Sequence, residues 1–202
     1  NNRTYNATVN VSVSTGGAVL SGVVPGDLVG VTPNSLTGQM ADKNVGTDKD
    51  VTLASVTLRG PDAANYTGTA GPTTVDITPA TAYLYVTRTG ATDRLYDGTT
   101  NAAVNVELIS LYGNDQVTLT HDAARYADKN VAYNGSGSVI SKTISVANAA
   151  ISGADAANYV LNTTFYGSTS GTIRPVPLAV SGVAAQNRAY DGTRNVNVNV
   201  AG

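Results

Sequence analysis

The sequence contains no cysteine and no tryptophan, and only one each of methionine, phenylalanine, histidine and glutamate. Without cysteine there is neither a disulfide framework nor a thiolate metal site. In an exported protein the same lack avoids premature cross-linking in an oxidising compartment. Charge is also scarce, at 13% of residues against a typical ~25%. The 14 acids and 12 bases, net charge -2, are scattered singly along the chain. No basic face is present to neutralise phosphates and no block to dock on an anionic membrane, so nucleic acid is not an expected partner. No apolar run approaches the ~20 residues that span a bilayer, so direct membrane insertion is not expected either. The first residues lack the basic and apolar pattern of a signal peptide, and export would rest on a signal outside these residues.

What is abundant is Val, Thr, Asn, Ser and Gly, with hydrophobic residues at 42%. β-Branched side chains suit a pleated surface, while Asn, Asp and Gly favour tight reversals. Composition therefore predicts extended chain with frequent turns and almost no helix. The 202 residues leave room for two domains of ordinary size or one large β domain.

Self-similarity decides between these. "RLYDGT" at Arg94 to Thr99 returns as "RAYDGT" at Arg188 to Thr193, and a worn copy, "RTYNAT", stands at Arg3 to Thr8. Their tyrosines, Tyr5, Tyr96 and Tyr190, are 91 and 94 residues apart. Between them the same landmarks recur in order. "ADKNV" occurs at Ala41 to Val45 and Ala127 to Val131, and "DAANY" at Asp62 to Tyr66 and Asp155 to Tyr159. "ITP" at Ile77 to Pro79 is answered by "IRP" at Ile173 to Pro175. A period above 90 residues is too long for a solenoid coil and suits tandem units, each with its own core. The expected divisions are 1–78, a first repeat lacking its opening strand, 79–174, a complete second repeat, and 175–202, the start of a third.

Within each unit apolar residues alternate with polar ones, the period of a half-buried strand. Val9, Val11 and Val13 do so after the first tyrosine, Ala102, Val104, Val106 and Leu108 after the second, and Val196, Val198 and Val200 after the third. Further strands are expected at Val51 to Leu58, Tyr83 to Thr87, Val117 to Thr120, Ile140 to Val146 and Leu178 to Ser181. In "DAANY", Asp62, Ala64 and Tyr66, like Asp155, Ala157 and Tyr159, have the spacing of the tyrosine corner of antibody-like domains. The expected fold is all-β, tandem immunoglobulin-like β-sandwich repeats, with β-grasp-like repeats as the alternative. Pro79, Pro175 and Pro177 restrict the chain between units, so a short, stiff junction follows.

Taken in order, "YDGT", "ADKNV", "GADAANY" and "ITP" resemble the YDG-type repeats of large bacterial surface and secreted agglutinins of the filamentous haemagglutinin class. The resemblance covers nearly the whole chain. It implies an adhesin module at the surface of a Gram-negative bacterium, in which many repeats make a stalk. The first copy departs from the pattern, with Asn6 for Asp and Ala7 for Gly.

The residues themselves read mainly as structural. Asp-Gly is a turn signal, and the preceding tyrosine buries its ring while leaving its hydroxyl for a partner. Tyr96, Asp97 and Gly98, and again Tyr190, Asp191 and Gly192, are thus anchored turns leading into strands. The competing reading is a Ca²⁺ site between units using Asp97, Asp191 and Asp128, with Asp93 or Asp115, because hard cations need several oxygen ligands. No run has the acid spacing of an EF-hand loop. "ADKNV" sets Lys beside Asn and invites an isopeptide cross-link, but Lys43 and Asn44 point to opposite faces if the segment is extended. A solvated turn is the expectation there.

No catalytic constellation emerges. His121 has no counterpart in the first repeat and Glu107 sits on the outward face of a strand, so the chain reads as no enzyme. Sequons at Asn2, Asn6, Asn10, Asn65, Asn134 and Asn162 follow from composition. The functional expectation is a structural spacer holding a distal binding region away from the cell, its partners being neighbouring repeats. The alternatives are a module that itself recognises a host glycan or protein, and a subunit that self-associates by strand exchange, its tail Leu178 to Val200 lying in the first unit of a neighbouring chain.

Overall fold

The computed structural model describes residues 2–33, 35–167 and 169–200, with the backbone alone at 35, 165–167, 199 and 200. The side chains of Tyr166 and Val200 lie outside that description. The chain is all-β, and its only helical turns among the described residues are two 3₁₀ turns at Ala63–Asn65 and Ala156–Asn158.

The first 78 residues form β1 (Arg3–Thr4), β2 (Asn10–Ser14), β3 (Gly30–Val31), β4 (Ser35–Met40), β5 (Gly46–Leu53), β6 (Leu58–Arg59) and β7 (Thr73–Thr78). Five of them make one sheet in the order β1-β7-β5-β4-β2. The alternation after Tyr5 works as a half-buried strand should: Val11 is buried while Asn10 and Ser12 face solvent. Strand β2 is an edge of this sheet.

One residue, Pro79, separates β7 from β8 (Ala80–Arg88). The strands that follow are β9 (Arg94–Leu95), β10 (Val104–Ile109), β11 (Thr118–Thr120), β12 (Arg125–Tyr126), β13 (Lys142–Ser145), β14 (Ala150–Ser152), β15 (Tyr159–Gly167), β16 (Ser170–Gly171) and β17 (Ile173–Arg174). Strand β8 runs antiparallel to β10 and parallel to β15. Lying between two strands, it buries Ala80, Ala82, Leu84 and Val86 on one face. The counterpart of β10 in the first repeat is β2, which has β4 on one side and no strand in β8's place.

The expected strand at Leu178 to Ser181 is not formed. The terminal pair is instead an antiparallel hairpin of β18 (Val183–Ala185) and β19 (Val198–Val200). A strand needs a neighbour's backbone to satisfy its own N–H and C=O groups. The segment before β18 meets none, and Leu178 is 87% exposed.

Among the described residues, buried side chains gather in two clusters. One joins Ala124, Tyr126, Ile144 and Ile173 inside the second repeat. The larger combines Tyr5, Val11, Met40, Val51, Val75 and Ile77 with Ala80, Ala82 and Tyr159. Apolar packing is thus continuous across Pro79, which differs from units that each close around a private core. The difference arises because Tyr5 and Tyr159, both motif residues, turn towards the other repeat.

Candidate functional site

Motif residues meet at the junction around a loop that carries Tyr112 and Asp115. The backbone N–H of Tyr5 donates to the Thr78 carbonyl at 2.8 Å, which aims the ring at the second repeat. There it is fully buried, edge-on to Tyr159 at 5.4 Å and to Tyr112 at 6.1 Å between ring centroids. Edge-to-face pairs of this kind are favourable beyond the area they bury.

Asp115 is the hub. Its side chain is 1% exposed, and Oδ2 accepts the Tyr5 hydroxyl at 2.7 Å and the Tyr159 hydroxyl at 2.6 Å. Oδ1 receives the Lys43 ammonium, which also reaches Asp155 at 2.9 Å. Burial alone would raise the Asp115 pKa, but the bonds from Lys43, Tyr159 and Tyr5 outweigh it and hold the carboxyl below its ordinary range. Asp155 is lowered as well, first by Lys43 and then by the Gln116 N–H. Lys43 is raised by its bonds to Asp115 and Asp155, and burial pushes the Tyr5 and Tyr159 phenols up. The cluster is therefore a set of ionised acids and a protonated lysine with neutral phenols.

Beside it, Asn158 is 2% exposed. Its Nδ2 donates to Asn44 Oδ1 at 3.0 Å, and its Oδ1 accepts the Val45 N–H at 2.9 Å. Lys43 and Asn44 point the same way because residues 41–45 form a turn: Asp42 Oδ1 accepts the Asn44 N–H at 2.7 Å. The solvated turn expected for "ADKNV" is thus corrected in the first copy, whereas in the second Asp128, Lys129 and Asn130 are exposed. The opening half of the first copy is a local turn, and its Lys and Asn are committed to the second repeat. An isopeptide bond requires an unprotonated amine, whereas Lys43 is held as a cation between two carboxylates.

"DAANY" is the receiving half. The Tyr112 N–H donates to the Tyr159 hydroxyl at 2.8 Å and the Gln116 N–H to Asp155 Oδ2 at 2.8 Å. The first repeat repeats this geometry: the Val24 N–H bonds the Tyr66 hydroxyl at 3.0 Å, Tyr66 donates to Asp27 Oδ2 at 2.6 Å, and the Leu28 N–H bonds Asp62 Oδ2 at 2.8 Å. Gly60 and Gly153 enter these corners at φ +116° and +117°, where a Cβ would stand 2.2 Å from the Leu28 carbonyl oxygen or 2.3 Å from that of Gln116. No other residue fits there.

The "YDGT" turns share one design. Asp97 Oδ1 accepts the Thr99 N–H and hydroxyl, each at 2.8 Å, and pairs with Arg94. Asp191 does the same with Thr193 and Arg188. Gly98 and Gly192 have φ of +80° and +76°. In the worn copy Asn6 takes the carboxylate's place with Thr8 and Arg3, and Ala7 is left at φ +61°. The tyrosines differ in their surroundings, not their turns. Tyr5 is buried under the next repeat, whereas Tyr96 is 38% and Tyr190 97% exposed.

The acids considered for Ca²⁺ are not brought together. Asp97, Asp191, Asp128 and Asp93 each face their own cation, Arg94, Arg188, Lys142 and Arg88, and Asp115 faces Lys43. Among the described residues no group of three potential metal ligands converges. His121 is exposed, its Nδ1 at 2.7 Å from the Asp122 carbonyl, and Glu107 is exposed on β10.

A family model for the YDG domain matches residues 1–74 and again 78–166. The chain belongs to the YDG domain family. Each match spans one set of "Y-D/N", "ADKNV" and "DAANY" landmarks, so the polar junction lies between two YDG domains. No curated protein and no solved structure matches the chain.

Two contributors to the site were not singled out from sequence, Asn158 as a junction residue and the arginines that close the YDG turns, and Asp115 was named only as a calcium ligand. Arg3, Arg94 and Arg188 were visible, since each stands two residues before its tyrosine. Asp115 had a faint signal in its counterpart Asp27, 88 residues earlier.

Proposed function

We propose that the chain is a spacer, a run of YDG domains whose junctions are fixed so that they set a distance, as in the stalk of a bacterial surface or secreted adhesin of the agglutinin class. The observation that carries this reading is the junction itself. A one-residue connection, a continuous apolar cluster and a hub carboxylate with bonds from three side chains oppose hinge motion between the domains. A flexible tether would need none of these. The work is mechanical, with no reacting substrate, and the place it suits is the outer surface of a Gram-negative cell, where repeats add length cheaply.

The test is a distance distribution. Spin labels at Thr47→Cys and Ser136→Cys, one on each domain, are unique because the chain has no native cysteine. A spacer gives one narrow distribution, which broadens in Asp115→Ala. A broad distribution in the parent protein contradicts the spacer reading, and strong retention on a glycan array would favour a binding module instead.

A further inference from the structure

Each side of the junction recurs in the other domain. On the first domain, Asp27, Asp62 and Tyr66 hold the arrangement that Asp115, Asp155 and Tyr159 present to Tyr5 and Lys43, with the same bonds to Val24 and Leu28. Asn65, the counterpart of buried Asn158, is exposed. Beside this socket a groove of about 650 Å³ runs between β2 and residues 67–73, lined by Val13, Leu36, Leu53, Val56 and Leu58 among others. It corresponds to the slot between β10 and β15 that β8 fills in the second domain.

The second domain carries the matching plug. The Tyr96 N–H bonds the Arg174 carbonyl at 2.8 Å, as Tyr5 bonds Thr78. Asp128 Oδ1 takes the Asn130 N–H at 2.7 Å, the turn that aims Lys43 and Asn44. Lys129 and Asn130 are exposed, and Lys129 has no ion pair among the described residues. After Pro175 come Val176, Leu178 and Val180, which stand where Ala80, Ala82 and Leu84 stand after Pro79 and are all exposed.

We propose that the socket and groove of the first domain dock the second domain of another copy of this chain, Lys129 pairing with Asp27 and Asp62 and the strand Val176 to Val180 entering the groove along residues 66–72, as Ala80 to Leu84 lie along β15. The junction inside the molecule is the template for the contact. Pro177 is tolerated because its counterpart Thr81 pairs with β15 alone, β10 joining only from Tyr83, and proline is compatible with an unpaired strand edge. Strand β1 of the recipient keeps its place, and the docked segment ends at Gly182, whose φ of +78° turns the chain away. Because the two surfaces are different and lie on different domains, the contact is heterologous and adds copies head to tail.

Sedimentation equilibrium of the intact chain, from micromolar to millimolar, tests this with Lys129→Glu and Leu178→Asp. Both positions are exposed, so melting temperatures should match the parent's. The parent is expected to form dimers and longer species as concentration rises, and each variant to weaken association about tenfold or more. A parent that stays monomeric, or association that neither variant weakens, overturns the docking while leaving the spacer reading intact.

Discussion

Tyr5 and Asp115, 110 positions apart in the chain, share a 2.7 Å hydrogen bond across the boundary between two YDG domains. The tyrosine belongs to the worn first copy of the turn motif, and the acid to a loop that no repeated motif marks. Their bond ties the turn of one domain to the tyrosine corner of the next.

Removing the acid therefore affects both domains. Asp115→Ala leaves two phenols without their acceptor and the Lys43 ammonium with Asp155 alone, and should cost about 2–3 kcal/mol, the range for bonds to a charged group. Scanning calorimetry is expected to show one transition for the parent protein and two separated ones for the variant. An unchanged single transition would mean that the hub does not couple the domains.

The corners are equivalent in bonding but not in cover. Tyr159→Phe should lose about 1 kcal/mol, the net worth of one hydrogen bond, since Tyr159 is buried under Tyr5. Tyr66→Phe should lose less, because Tyr66 is only half buried. Urea titration of the two variants checks the order.

Much of this was legible in the sequence. The all-β class followed from composition and alternation, and the turn role of Asp97 and Gly98 from their chemistry. What could not be read was direction. Lys43 and Asn44 look like a solvated turn until the Asp42 bond folds residues 41–45 back and points both at the same neighbour. The role of Asp115, considered only as a calcium ligand, was hidden for another reason: a hub gathers residues far apart in the chain, and no spacing rule applies to them. The strand expected at Leu178 to Ser181 has the right pattern, but pattern alone does not supply a pairing partner.

The worn turn offers a reversal. Gly98→Ala places a Cβ at φ +80° and should destabilise by about 1 kcal/mol, although nothing lies near enough to clash, because the backbone conformation itself is unfavourable. Ala7→Gly should do the opposite, gaining about 0.5–1 kcal/mol by relieving a left-handed alanine. Thermal melts of both variants read the two signs.

Stability should fall at both ends of the pH scale. Asp115 and Asp155 are held below their ordinary values. Their contribution is complete above the unfolded carboxylate value of about 3.9 and is lost as pH drops through the lower folded-state values. Lys43, Tyr5 and Tyr159 are raised, so theirs is complete below about 10 and is lost as pH climbs through the higher folded-state values. A plateau between about pH 5 and 9 is expected in denaturant titrations, with a weaker acid limb in Asp115→Asn.

The central claim is that the repeated tyrosine serves the next domain rather than its own. A double-mutant cycle of Tyr5→Phe and Asp115→Ala, read by denaturant unfolding, measures this directly. The account predicts a coupling of about 1 kcal/mol between these two residues; additive effects, with no coupling beyond error, would contradict it.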